Sequence, residues 1–428
     1  MNDSVILFYP IALFPQPSPM PLLNYGIDSS IQLEFSEGTQ HRQCGTPRAK
    51  PLDDLARAVA GALEDPLDYP PLRQSTTPGD RVVLALGRGV PQSSQITAAV
   101  VHALIEAGVH PDGISVLRTE ADVDEGAENP CRMLNAKLGE RIRLLTHDPS
   151  NRGRMAYLAA TEHGAPILLN RVLTDADLVL PIGCLRAEKS TGYYGIHTPV
   201  FPSFSDGQTL LRFRRHDLNR GEGHRHRDLI HEVDEVAWLL GLNFTIQVVP
   251  GAGDEVLHVV AGQSDAVRRH GRELYREAWT CPVPQRAGLV VAAIEGGIQH
   301  QTWENLGRSL AAAVPLVEEG GAIAVCCDLA ADPGPAMQRL VGALSRQDVV
   351  RQIRREGPVD AVPAVQLARA LEFDHVYLLS QLAPSLVEEL DMTPLAGPDE
   401  LCRLASKHKS CILLSNAPRA MVTVAEAE

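Results

Sequence analysis

Apolar positions along this chain follow two alternating rhythms. Short apolar runs bounded by acids, glycine or proline read as buried strands, and apolar residues at helical spacing read as helices. The run DRVVLALG at 80–87 predicts a strand, QITAAVVHALIEAG at 95–108 a helix closing at Gly108, and ISVLR at 114–118 another strand. Strand, helix and strand in that order predict a right-handed βαβ unit and a parallel sheet. The same reading predicts helices over 52–63, 130–138, 229–240 and 265–279. It predicts strands over 142–146 and 243–249, and a short extended piece at 166–170. Residues 1–50 carry little pattern beyond a strand-like alternation at 30–35.

At 281–285 the segment CPVPQ interrupts the rhythm, because its two prolines stop the preceding helix and begin an extended linker. The alternation then resumes. Strands are predicted at 287–294, 321–328, 375–379 and 410–414, with helices over 306–317, 336–344, 347–355, 364–371 and 398–407. The chain therefore reads as α/β twice over, with mostly parallel sheets, divided into 1–280 and 286–428. Its 428 residues exceed what one core ordinarily holds.

One stretch stands outside the rhythm. DLVLPIG at 177–183 is a buried-strand signal, but 184–207 has few apolar runs and holds Gly192, Gly195, Gly207, Tyr193, Tyr194 and His197. Long irregular segments after parallel strands are where open α/β sheets bind ligands. This loop is the first candidate site.

Composition narrows the function classes. The balance of 39 basic against 53 acidic residues gives a net charge of −14, which weighs against nucleic-acid binding. No apolar window is long enough to predict a membrane span, and the apolar start VILFYPIALF lacks the basic flank of a signal peptide. Eight cysteines without a C-x-x-C predict reduced, mostly buried thiols, no zinc site and a cytoplasmic location. G-x-S-x-G, P-loop and G-x-G-x-x-G signatures are absent.

Several passages in fixed order carry a resemblance. GRGVPQSSQITAAVVHALIEAG follows the strand VVLAL, and GAPILLNR at 164–171 leads into ADLVLPIG at 176–183. Gly192-Tyr-Tyr-Gly195 opens a loop running through Pro202, and HEVDEVA at 231–237 follows. Gly296-Gly297, Gln301 and EEGG at 318–321 complete the set, which covers most of 78–415. Together these passages resemble the nickel-dependent lactate racemase family.

That resemblance implies two α/β domains flanking a cleft, with a nickel-pincer nucleotide tethered to a lysine and a histidine on the nickel. Two further histidines would exchange protons while a 2-hydroxy acid is racemised or epimerised by hydride and proton transfer. Carried across residue by residue, Asp122 and Glu188 stand in the positions of the catalytic histidines. Thr198 occupies the tethering lysine's position, with Lys189 nearby, and Gly192 and Gly195 shape the cofactor loop. Arg214 takes the place of the nickel histidine, with His216 two residues on, and Arg88 lies in the first loop. Asn305 and Arg308 occupy the positions of the polar pair reaching the substrate, and Tyr193 is placed to cover it.

Two functions remain open. One is a divergent racemase or epimerase using Asp122 and Glu188 as acid and base, with the nucleotide held non-covalently. The other is a catalytically degenerate relative that binds a small carboxylate or a partner protein. The arginines of 212–227 read either as an anion grip or as a salt-bridged face against the surplus acids. The H-R-H at 224–226 suits a metal only if extended. Cys184 reads as inert, and Gly296-Gly297 as a tight turn or a close approach to ligand.

Overall fold

Two six-stranded sheets organise the chain in the computed structural model, which describes residues 21–36, 38–161, 164–187, 190–218, 223–373 and 375–425. A hairpin of β1 (Leu22–Tyr25) and β2 (Ser29–Gln32) leads to β3 (Gln40–Cys44). Then come α1 (Leu55–Glu64), β4 (Val82–Leu86), α2 (Ser93–Glu106) and β5 (Ile114–Thr119). The short helices α3 (Glu120–Asp124) and α4 (Ala136–Gly139) precede β6 (Arg143–His147). A hairpin of β7 (Met155–Ala160) and β8 (Pro166–Asn170), then α5 (Arg171–Thr174), leads to β9 (Leu178–Cys184). Past the long loop lie α6 (Gly207–Leu218), α7 (Gly223–Leu239), β10 (Phe244–Pro250), β11 (Val256–Gln263) and α8 (Ser264–Trp279).

The remainder begins with β12 (Thr280–Val283), β13 (Ala287–Ala293), α9 (Trp303–Ala313) and β14 (Val317–Cys326). It continues through α10 (Arg346–Glu356), α11 (Ala361–Phe373), β15 (His375–Leu379) and α12 (Pro384–Glu389). It closes with β16 (Thr393–Pro394), α13 (Pro398–Ala405), β17 (Ser410–Leu414) and β18 (Met421–Val424). The first sheet has the order β11-β10-β9-β4-β5-β6 and is parallel except for the β10–β11 pair. The second, β16-β15-β14-β13-β17-β3, is parallel throughout. The α/β expectation holds.

Strand β4 shows why the apolar runs are continuous. All five of its residues are buried, as a parallel strand covered on both faces requires. Successive side chains face opposite ways, so Val82, Leu84 and Leu86 join Leu55, Val59, Ile96 and Val100 beneath α1 and α2. Val83 and Ala85 instead join Tyr194, Val200, Phe201, Phe204 and Phe213. The irregular loop after β9 is thus itself a cover for the sheet. Burial of Phe201 and Phe204 stabilises that packing by about 2 kcal/mol each.

Several expectations are corrected. Residues 21–44, which their place in the chain suggests for the first unit, side with the second sheet. There β3 pairs with β17, and Leu23, Tyr25, Ile31 and Leu33 pack with Leu289 and Val291. Cys44 and Cys281 form a disulfide between β3 and β12, so not all eight thiols are reduced. Of 130–138 only α4 is helical, and of 336–344 only a single 3₁₀ turn at Met337–Arg339. Within the arginine-rich 212–227, residues 212–218 end α6, and Arg212 pairs with Glu232 of α7. Residues 224–226 are helical, which removes the extended geometry a metal site there needed. Among the described residues no helix is long and apolar enough to cross a membrane.

Candidate anion site between the two sheets

The loops at the carboxyl ends of β4, β5, β6 and β9 face those following β13 and β14, leaving a cleft of about 760 Å³. That is the size and place expected of a small-molecule site. The first sheet contributes Arg88, His147, Tyr193, Thr198 and Arg214 to the lining, and the second Gln301, Trp303, Glu304, Asp332 and Asp360. Gly183, at the end of β9, lets the chain pass, since a Cβ there would come within 2.8 Å of both Gln247 and Pro199. Adjoining the cleft is a chamber of about 70 Å³ that shares Arg88, Cys184, Arg186 and Glu304 with it. Such a volume holds a few waters or a small acid.

The chamber is dominated by guanidinium groups. Arg88 Nη2 lies 2.6 Å from Glu125 Oε1 and 2.9 Å from Glu304 Oε2, joining the first sheet's loops to α9. Arg308 pairs with the same Glu304 and donates to Asn305 Oδ1 at 3.1 Å. Arg186 donates only to the Arg88 carbonyl, at 3.0 Å, and has no carboxylate partner among the described residues. Arg419 donates to the carbonyls of Gly251 and Gly253 and likewise has none. The Nε atoms of Arg88 and Arg308 are buried without a hydrogen-bond partner. Cations thus outnumber the carboxylates that face them.

Electrostatics follow from this arrangement. Burial alone would raise the Glu304 carboxyl, but Arg308, Arg88 and Arg186 together hold it far below the usual carboxylate range. Burial lifts Glu125 despite Arg88. Burial also pulls Arg308 down to about 10, which leaves it charged at neutral pH. The Cys184 thiol is pushed up by burial, so it stays protonated and is a poor nucleophile or soft ligand.

Of the residues named from sequence, Arg88, Asn305 and Arg308 converge in the chamber, while Tyr193 and Arg214 line the outer cleft. Arg214 donates to the Gly357 carbonyl at 2.9 Å, and burial raises the Tyr193 phenol. Gly192 N donates to Asp217 Oδ2 at 2.7 Å. The Thr198 hydroxyl donates to the Gly195 carbonyl at 2.8 Å and accepts from Tyr194 N at 3.1 Å, so it braces the loop.

Asp122, the candidate acid or base, lies on α3, close enough to Arg88 and Glu125 to raise the pKa of both. It accepts a 2.5 Å hydrogen bond from Thr119 Oγ1 at the start of α3, and it lines a cavity of about 360 Å³ that shares Gly89, Glu125, Gln299 and His300 with the chamber. Glu188 and Lys189 lie outside the described residues, and with them the proposed Asp122–Glu188 pair. His216 lies on α6 with its ring 6.4 Å from that of Tyr194 and does not line the cleft. No cluster of three metal-ligating side chains exists among the described residues. The cleft's own imidazole, His147, is committed. Its Nδ1 accepts from Asn170 Nδ2 at 3.1 Å and its Nε2 donates to the Ser205 carbonyl at 2.9 Å, which leaves it neutral. Sequence reasoning missed Glu125, Arg186, Glu304 and Arg419. Position two residues beyond β9 was the signal available for Arg186.

Fold and site define a two-sheet α/β protein with a cationic chamber where the loops of the two sheets meet. Residues 25–222 match the lactate racemase N-terminal domain. Over 294 residues the chain is 22% identical to a lactate racemase of Thermoanaerobacterium thermosaccharolyticum, spanning 64% of this chain and 67% of that one. The lactate racemase apoprotein structure from the same organism aligns with a TM-score of 0.75 at 20% identity, covering 94% of this chain and 99% of the other. A structural-genomics protein from Thermotoga maritima aligns with a TM-score of 0.60 at 12% identity, covering 86% and 97%. The chain is thus similar to lactate racemases in fold and, over residues 25–222, to their N-terminal domain.

The nickel-pincer nucleotide implied by the resemblance does not fit the donors found among the described residues. Thr198 has no amine to form the tether, and its hydroxyl is used within the loop. A guanidinium, Arg214, stands at the nickel histidine's position, and the His216 imidazole lies off the cleft.

Proposed function

We propose that this lactate-racemase-like protein binds a small carboxylic acid in the chamber between its two sheets, without a nickel-pincer nucleotide. The observation that supports this most is Arg186, a half-buried guanidinium facing the chamber with no carboxylate partner among the described residues. Arg186 shares only the field of Glu304 with Arg88 and Arg308, and a ligand carboxylate would supply it a direct partner. The neighbouring unpartnered Nε atoms of Arg88 and Arg308 add donors to the same small space. Arg88 and Glu304 come from opposite sides of the cleft, so the chamber exists only while the two sheets' loops are closed on each other.

Racemase or epimerase chemistry on a 2-hydroxy acid is the finer reading that the resemblance suggests. It needs an acid and a base reaching the cleft; Asp122 is hydrogen-bonded to Thr119 and lines the adjoining cavity, and Glu188 lies outside the described residues. Acid binding is therefore the function to test first. Calorimetric titration of the full chain with lactate, propionate and lactamide separates the cases. The two carboxylates are expected to bind and the uncharged amide not to. Equal binding of lactamide, or no binding of either acid, would refute the anion site.

A further inference from the structure

The Gly296-Gly297 turn after β13 carries an imidazole that acid binding alone leaves unused. His300 lies just beyond the turn, 8% exposed, with Nε2 2.7 Å from Asp254 Oδ1. Asp254 comes from the loop joining β10 and β11 on the other side of the cleft. It also accepts from Gln299 Nε2 at 2.7 Å and from Gly297 N at 3.3 Å. A carboxylate can only accept, so Asp254 fixes the proton on Nε2 and leaves Nδ1 as a lone pair. No described residue donates to that Nδ1.

The ring's position is built rather than incidental. Gly296 has φ +119, and a Cβ on it would come within 2.6 Å of His300 Cδ2 and 3.1 Å of the Gly253 Cα. The glycine pair therefore serves the imidazole, a close packing that the sequence left open between a turn and a ligand approach. His300 lines the chamber together with Arg88, Arg186, Arg308 and Asn305. Burial lowers its pKa against the pull of Asp254, and Arg419 and Arg308 lower it further, so the ring is neutral at neutral pH.

We propose that His300, oriented by Asp254, is the specificity-determining residue of the chamber: its Nδ1 accepts a hydrogen bond from the hydroxyl of a hydroxy acid held through its carboxylate by the arginines. The inference rests on the acid-binding reading and adds which acid is chosen. A plain acid leaves the Nδ1 without a donor, and a keto acid sets two acceptors against each other. The dyad also requires both sides of the cleft, because Asp254 and His300 come from opposite ones.

The test is calorimetric titration of the full chain and two variants with lactate and propionate. The wild type is expected to bind lactate about tenfold more tightly than propionate. His300→Gln keeps an N–H for Asp254 but has no acceptor in the Nδ1 position. Its propionate affinity should be unchanged and its lactate affinity should fall to the propionate value. His300→Asn, whose Oδ1 falls near the Nδ1 position, should regain part of the preference. Independently of any variant, nitrogen-15 NMR of the wild type should show lactate, and not propionate, shifting the His300 Nδ1 resonance. Equal wild-type affinities, or a His300→Gln variant that keeps its preference, would overturn the role of His300 and leave the acid site standing. Binding of neither acid would overturn both.

Discussion

Glu304→Gln is expected to lower folding stability by about 3 kcal/mol, the typical cost of removing one partner from a buried ion pair. Glu304 is the shared counter-ion of Arg88, from the loop after β4, and Arg308, one turn along α9. The neutral amide keeps the shape but leaves the two guanidinium groups with Glu125 as their nearest compensation. Chemical denaturation of both proteins at neutral pH checks the difference. The sign with pH follows from the depressed Glu304 pKa. Its contribution is fully present above the unfolded carboxyl's value, about 4.3, and is lost as pH falls below it, so the two proteins should converge in acid. Glu125, raised by burial, works the other way: its ionisation costs stability at neutral pH, and protonation relieves the cost. A variant as stable as the wild type at pH 7 would mean that the bridge contributes nothing.

Arg186→Met should split binding from stability. Because Arg186 has no carboxylate partner, losing its charge breaks no ion pair, and the variant should be at least as stable as the wild type. Carboxylate binding should weaken by about 2 kcal/mol, a roughly 30-fold rise in Kd, the scale of a charge-assisted hydrogen bond. Denaturation and calorimetric titration on the same preparation check both halves. Unchanged affinity would remove Arg186 from the site. Parallel losses of affinity and stability would make it a structural residue.

What the sequence revealed and what it hid divide along physical lines. The run VVLAL at 82–86 was legible because a parallel strand buried on both faces must be apolar throughout. The loop at 184–207 stood out by its glycines and tyrosines, yet its cover over Val83 and Ala85 was not visible, since Phe201 and Phe204 follow no regular period. The partner of β3 lies in β17 and that of Cys44 is 237 residues away, separations at which no local pattern carries information. Thr119 and Asp122 have the S/T-x-x-D spacing of a helix start, which the structure shows them to be. Arg88, Asn305 and Arg308 were found through the family's motifs. Arg186, Glu304 and the Asp254–His300 dyad were not, because each gains its meaning only when the two sheets' loops meet.

A crystal structure of the protein grown with lactate tests the acid site most directly. We expect the carboxylate density within hydrogen-bond distance of Arg186 and Arg308, inside the chamber lined by Asn305 and His300. Lactate seated instead in the outer cleft against Tyr193 and Arg214, with the chamber holding only water, would contradict it.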